Sequence, residues 1–179
     1  MIRYLAVAFA AAVALAPITA ADAALHVGQK APVFATDAAL AGNAFHFSLE
    51  DALKKGPVVL YFYPKAFTTG CTIEAHEFSD ATADFKKLGA TVIGMSGDNI
   101  TDLKKFSVQD CRNNFAVGVA SADVIKNYDV AMATHPGLTD RISYVIDQHG
   151  KIVFAYSSPN PDGHVTGTMD AVKKLVGKN

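Results

Sequence analysis

Residues 57–71 read Pro57-Val58-Val59-Leu60-Tyr61-Phe62-Tyr63-Pro64-Lys65-Ala66-Phe67-Thr68-Thr69-Gly70-Cys71. From Val58 to Tyr63 every side chain is apolar, β-branched or aromatic, as in a central strand buried on both faces. Pro64 has no N–H to give to a ladder and stops the strand. A short loop follows, and then the period changes. Phe78, Ala81, Phe85 and Leu88 recur at three- and four-residue steps, with Glu74, Asp84, Lys86 and Lys87 around the other face. An amphipathic helix therefore begins close to Cys71. At a helix N-terminus, unpaired N–H groups and the positive end of the dipole favour a thiolate over a thiol. That makes Cys71 a candidate nucleophile; a packed cysteine, or one half of a structural disulfide, fits the spacing equally well.

Working outward, Ala44–Leu49 alternates around Phe45 and Phe47 as a short strand, and Ser48 or Asp51 caps a brief helix ending at Gly56. Leu25–Ala35 is a lead-in segment containing proline and glycine. Ala90–Ser96 reads as a second buried strand. A helix opens at Thr101 or Asp102 and runs to about Asn113, and a shorter one spans Ala122–Tyr128. Ser143–Asp147 and Ile152–Tyr156 flank His149-Gly150 as a hairpin, and Met169–Val176 closes the chain as a helix. Strands alternating with helices, plus one hairpin, predict a single α/β domain with helices on both sides of a mixed sheet.

The chain has 179 residues, with 16 Lys and Arg against 17 Asp and Glu, so it lacks the basic excess that grips nucleic acid. Two cysteines exclude a disulfide-dense scaffold and a four-cysteine zinc site. The mean hydropathy of +0.19 has a local origin. After Met1-Ile2-Arg3 an apolar run extends from Tyr4 to Ala16, followed by Pro17 and a small-residue stretch ending Ala21-Asp22-Ala23. Thirteen apolar residues are too few to span a bilayer, which takes about 20. One positive charge before the run and an A-x-A-like site after it are the layout of a cleaved secretory signal. Residues 1–23 are therefore read as a signal peptide and 24–179 as the mature domain. That domain has no stable membrane association and a periplasmic or otherwise secreted location, where disulfides persist.

Thr68 lies three residues before Cys71, so its hydroxyl can donate and accept in the same small volume, and Pro64 adds rigid apolar cover. Pro64-x3-Thr68-x2-Cys71 resembles the active-site signature of the peroxiredoxins, P-x3-(T/S)-x2-C. Val27-Gly28-x2-Ala31-Pro32-x-Phe34 and Asp140-Arg141-Ile142-Ser143-Tyr144-Val145-Ile146-Asp147 extend the similarity, specifically to the bacterioferritin-comigratory or PrxQ branch. The resemblance implies a thioredoxin-like fold and a thiol-dependent peroxidase acting on hydrogen peroxide and organic hydroperoxides. It casts Cys71 as nucleophile, with Thr68, Pro64 and Arg141 completing the catalytic set. Outside the resemblance, Arg141 reads as a strand residue paired with Asp140 or Asp147. No metal or organic cofactor is implied, since the sulfur carries both electrons; the partners implied are a peroxide and a thioredoxin-like or other dithiol reductant.

Many sequences of this branch carry a resolving cysteine five residues after the nucleophile, where this chain has His76. Some relatives place it on the helix that here spans Thr101–Asn113, which makes Cys111 the implied resolving residue and Cys71–Cys111 the implied disulfide; the alternative is a bystander Cys111 and a one-cysteine mechanism completed by an outside reductant. On a helical projection Cys111 points about 110° from the mean of Leu103 and Phe106, away from the core. His76 and His135 read as solvated residues, and Pro159–His164 as a loop. Two readings from other classes stand beside the peroxidase. One is a non-catalytic thioredoxin-fold binding domain with a structural Cys71–Cys111 disulfide. The other, a thiol-disulfide oxidoreductase, is disfavoured because Cys71 opens no C-x-x-C.

Overall fold

The computed structural model describes residues 24–177, so the signal-peptide reading of residues 1–23 lies outside it. Seven strands form one mixed sheet: β1 (Ala35–Leu40), β2 (Asn43–Ser48), β3 (Val58–Phe62), β4 (Thr91–Ser96), β5 (Ala116–Val119), β6 (Ile142–Ile146) and β7 (Ile152–Ser157). Their spatial order is β2-β1-β5-β4-β3-β6-β7. The β3/β4 and β4/β5 pairs are parallel and the remaining pairs antiparallel. Five helices cover it: α1 (Leu49–Leu53), α2 (Thr69–Lys87), α3 (Ile100–Gln109), α4 (Ala122–Asn127) and α5 (His164–Val176).

The strand period of two sorts side chains between two cores. Val58, Leu60 and Phe62 of β3 enter an apolar cluster with Leu49, Leu53, Val124 and Tyr128, on the side of α1 and α4. Val59, Tyr61 and Tyr63 enter the other, with Ala75, Phe78, Phe85, Leu103, Phe106 and Val172, beneath α2, α3 and α5. β3 is buried at all five positions, as its uninterrupted apolar run requires.

Several boundaries differ from the sequence expectation. Ala35–Leu40 is a strand paired to both β2 and β5 and not a continuation of the lead-in. Asn99 caps α3 by accepting from the Asp102 N–H, so the helix starts at Ile100. It also ends early. Gln109 is its last residue, Asp110 is the C-cap, and Arg112 and Asn113 take positive φ (49° and 62°), a left-handed turn that cannot continue a helix. Cys111 therefore lies in a turn, where the helical projection does not apply. It is fully buried, the reverse of the exposed placement expected. The closing helix starts five residues early, at His164, after Gly163 at φ 90°.

Sheet topology positions the site. The β3/β6 register pairs Phe62 with Ile142. Arg141, one residue before Ile142, thus lies beside the end of β3, where the chain departs for Cys71.

Candidate active site

Cys71 is the third residue of α2, and its sulfur is buried at 1% exposure. The loop delivering it is anchored from several directions. Thr139 Oγ1 donates to the Tyr63 carbonyl (2.8 Å), and Asp98 accepts from the Ala66 N–H (2.7 Å) and from Ser96 Oγ (2.8 Å). Phe67 sits at φ 65°, a conformation costly for a bulky residue, and its ring packs edge-on against Phe106 of α3 at 5.3 Å. Strained backbone of this kind persists where surrounding contacts over-determine it, and such strain clusters at functional sites.

Arg141 joins Cys71 across 70 residues of sequence. Its Nη2 donates to Cys71 Sγ at 3.4 Å, Nε donates to the Pro159 carbonyl at 3.1 Å, and Nη1 donates to Glu74 Oε2. Arg141 pairs with Glu74 and with neither Asp140 nor Asp147. Burial opposes its charge, but Glu74 and Cys71 beside it outweigh that and hold its pKa above the ordinary value. A planar donor with several N–H groups can hold a carboxyl oxygen and a sulfur at once, which an ammonium cannot do in fixed geometry. The approach depends on Gly70: a Cβ there would stand 3.0 Å from Nη2.

The other expected residues are placed differently. Thr68 is the exposed N-cap of α2, and its hydroxyl donates to the Lys65 carbonyl (2.9 Å), with no bond to Cys71 in this conformation. Pro64 is half-buried and ends β3 as its chemistry dictates. Cys71 and Cys111 are both free and belong to the same apolar cluster, with Tyr61 and Tyr63. Burial, and then Asp110 beside it, push the Cys111 thiol well above its ordinary pKa. Polar contacts flank Cys111 and tie its turn to α2: His76 Nε2 lies 3.6 Å from Asp110 Oδ1, and Arg112 forms an ion pair with Asp80 at 2.8 Å. His135 is exposed in its loop, its ring nitrogen 2.9 Å from Thr134 Oγ1.

Two site residues escape the sequence reading. Glu74, assigned by periodicity to the polar face of α2, is fully buried beneath Arg141; burial raises its pKa to about 8 against the opposing pull of that arginine. His164, assigned to a loop, is fully buried at the start of α5. The signal available was spacing: Glu74 lies three residues after Cys71, one helical turn on and on the same side.

The mixed sheet with helices on both faces is of the thioredoxin-like class, and it carries a buried cysteine in the first turn of a helix with an arginine on its sulfur. The chain belongs to the AhpC/TSA family, whose model matches residues 27–155, and within it to the peroxiredoxins of the Q and bcp type. It is 33% identical over 155 residues to a putative peroxiredoxin bcp of Helicobacter pylori, covering 83% of this chain and 98% of that one. It is 34% identical over 123 residues to the chloroplastic peroxiredoxin Q of japonica rice, covering 68% of this chain and only 57% of the rice protein. Among solved structures, the peroxidoxin BcpB of Mycobacterium tuberculosis superimposes with a TM-score of 0.74 at 28% identity, over 83% of this chain and 97% of that chain.

Proposed function

We propose that this protein is an exported thiol peroxidase that reduces hydrogen peroxide and organic hydroperoxides through Cys71 and is recycled by a dithiol. The observation that carries the reading is the 3.4 Å contact from Arg141 Nη2 to Cys71 Sγ at the start of α2. A fixed cation on the sulfur stabilises its anion and then the charge that develops on a departing oxygen. The sulfur attacks the nearer peroxide oxygen, the O–O bond breaks, and the leaving oxygen takes a proton to become water or an alcohol. Cys71 is left as a sulfenic acid. The Cys71 N–H, free of any helical partner, adds a second donor to the oxyanion.

The sulfenic acid is resolved by Cys111: its sulfur bonds to Cys71 Sγ and the sulfenic oxygen leaves as water. A reducing dithiol then restores both thiols. Because burial disfavours the Cys111 thiolate, this step follows movement of the turn 110–114 and of the first turn of α2 into water. Export rests on the charge, apolar run and small-residue site of residues 1–23.

Mass spectrometry of peroxide-treated mature protein tests the resolving step. The expected product is one intramolecular Cys71–Cys111 link. Cys111→Ser is expected to consume a single equivalent of peroxide and then fail to cycle with dithiothreitol. Sustained turnover by that variant would remove Cys111 from the mechanism.

A further inference from the structure

Arg141 separates Cys71 from a second buried cluster, formed by Glu74, Ser143 and His164. His164 Nε2 lies 3.2 Å from the Ser158 carbonyl oxygen, a group that only accepts, so Nε2 carries the hydrogen. Nδ1 is then left with a lone pair. Ser143 Oγ sits 2.8 Å from it and donates, and Glu74 Oε1 lies 3.6 Å away. Protonating Nδ1 as well is opposed first by burial and also by Arg141, and the imidazole pKa falls to about 4.

Glu74 Oε1 is buried and has no hydrogen-bond partner among the described residues. An ionised Oε1 would face the histidine lone pair with nothing to satisfy it, whereas a protonated Oε1 can share that lone pair with the Ser143 hydroxyl. Charge counting agrees. With Cys71 ionised, a carboxylate at Glu74 would set two buried anions against the one Arg141 cation, and a carboxylic acid leaves them balanced. The remaining groups around the cluster are Glu77 on α2, which disfavours a second carboxylate nearby, and the Tyr156 ring of β7, edge-on to His164 at 4.8 Å. The Asn160 backbone also bonds the imidazole, and Asp162 acts on Glu77.

We propose that His164, its tautomer fixed by Ser158 and Ser143, is a positioning residue that keeps the site's proton on Glu74 and so leaves the Arg141 charge to Cys71. The effect on Cys71 chemistry and the charge count rest on Cys71 being the nucleophile; the protonation of Glu74 stands without them on the unpartnered Oε1 facing the Nδ1 lone pair.

Infrared difference spectra of the reduced mature protein against Glu74→Gln read that proton directly. A protonated-carboxyl band at pH 7 is expected in the wild type, and its absence overturns the proposal. His164→Gln replaces the locked lone pair with an amide that can donate to an ionised Oε1. Its band should titrate away about one pH unit lower, which from about 8 halves the protonated carboxyl at pH 7, so Cys71 should react with peroxide about twofold more slowly there. Ser143→Ala, which leaves the lone pair to Glu74 alone, should move the band the other way and remains informative should His164→Gln fold poorly. In a Glu74→Gln background the His164→Gln effect on rate should disappear; an undiminished effect there would contradict the proposal. Should the wild-type thiol prove inert while the band behaves as expected, the reading of Cys71 fails and the Glu74 assignment stands.

Discussion

Gly70 is where backbone preference and site chemistry oppose each other. Glycine inside a helix costs roughly 0.5–1 kcal/mol relative to alanine, yet the second residue of α2 is glycine. The reason is the guanidinium that would lie 3.0 Å from a Cβ. Gly70→Ala should therefore raise or preserve the melting temperature while pushing Arg141 off the sulfur, slowing peroxide reduction by about tenfold, a fraction of what losing a whole oxyanion donor costs. Calorimetry and stopped-flow kinetics on the same variant check both halves. A fall in stability with unchanged kinetics would mean that the close approach of Arg141 serves packing and not chemistry.

At the scale of elements, α2 carries Cys71 at one end and roofs the core along its length. Phe78 is fully buried and stacks on Tyr61 at 4.3 Å. Phe78→Ala should cost about 3–5 kcal/mol in urea unfolding, the range for emptying an aromatic site in a packed core. That helix was legible in the sequence, as were β3, β4 and the β6–β7 hairpin, because each declares itself through an apolar period or a turn dipeptide. β1 was not, since Ala35–Leu40 reads Ala-Thr-Asp-Ala-Ala-Leu and gains its burial from β5 and α3 and not from large side chains. β5 is only four residues long. The Cys111 turn was misplaced because a periodic pattern does not announce its own end: Arg112 and Asn113 break the helix without glycine or proline. Cys71 was marked by its place at a helix start and Arg141 by the resemblance, and the structure brings those two together; Thr68 was marked as well, but its hydroxyl turns to the Lys65 carbonyl. Glu74 escaped because periodicity assigns charged residues to water and the partner that buries it stands 67 residues away, and His164 escaped because it was read as the end of a loop when it opens α5.

For the whole molecule, the buried cluster writes itself into stability against pH. Glu74 moves from 4.5 to about 8 on folding, so between those values the folded state holds a proton that the unfolded state lacks, and stability falls as pH rises. His164 moves from 6.5 to about 4, so between those values the unfolded state holds the extra proton, and stability rises with pH. The two contributions cancel from about 4.5 to 6.5, leaving a decline from 6.5 to 8 of up to about 1.4 kcal/mol per pH unit. Denaturation of Glu74→Gln across this range should lose the decline and keep the acid-side rise. Retention of the alkaline decline in that variant would assign it to another group.

Rapid mixing of reduced Cys111→Ser protein with one equivalent of hydrogen peroxide at neutral pH tests most directly whether Arg141 makes Cys71 a reactive sulfur. The expected result is loss of the Cys71 thiol within seconds, with a sulfenic acid trapped at that residue. A Cys71 thiol that survives for hours would contradict it.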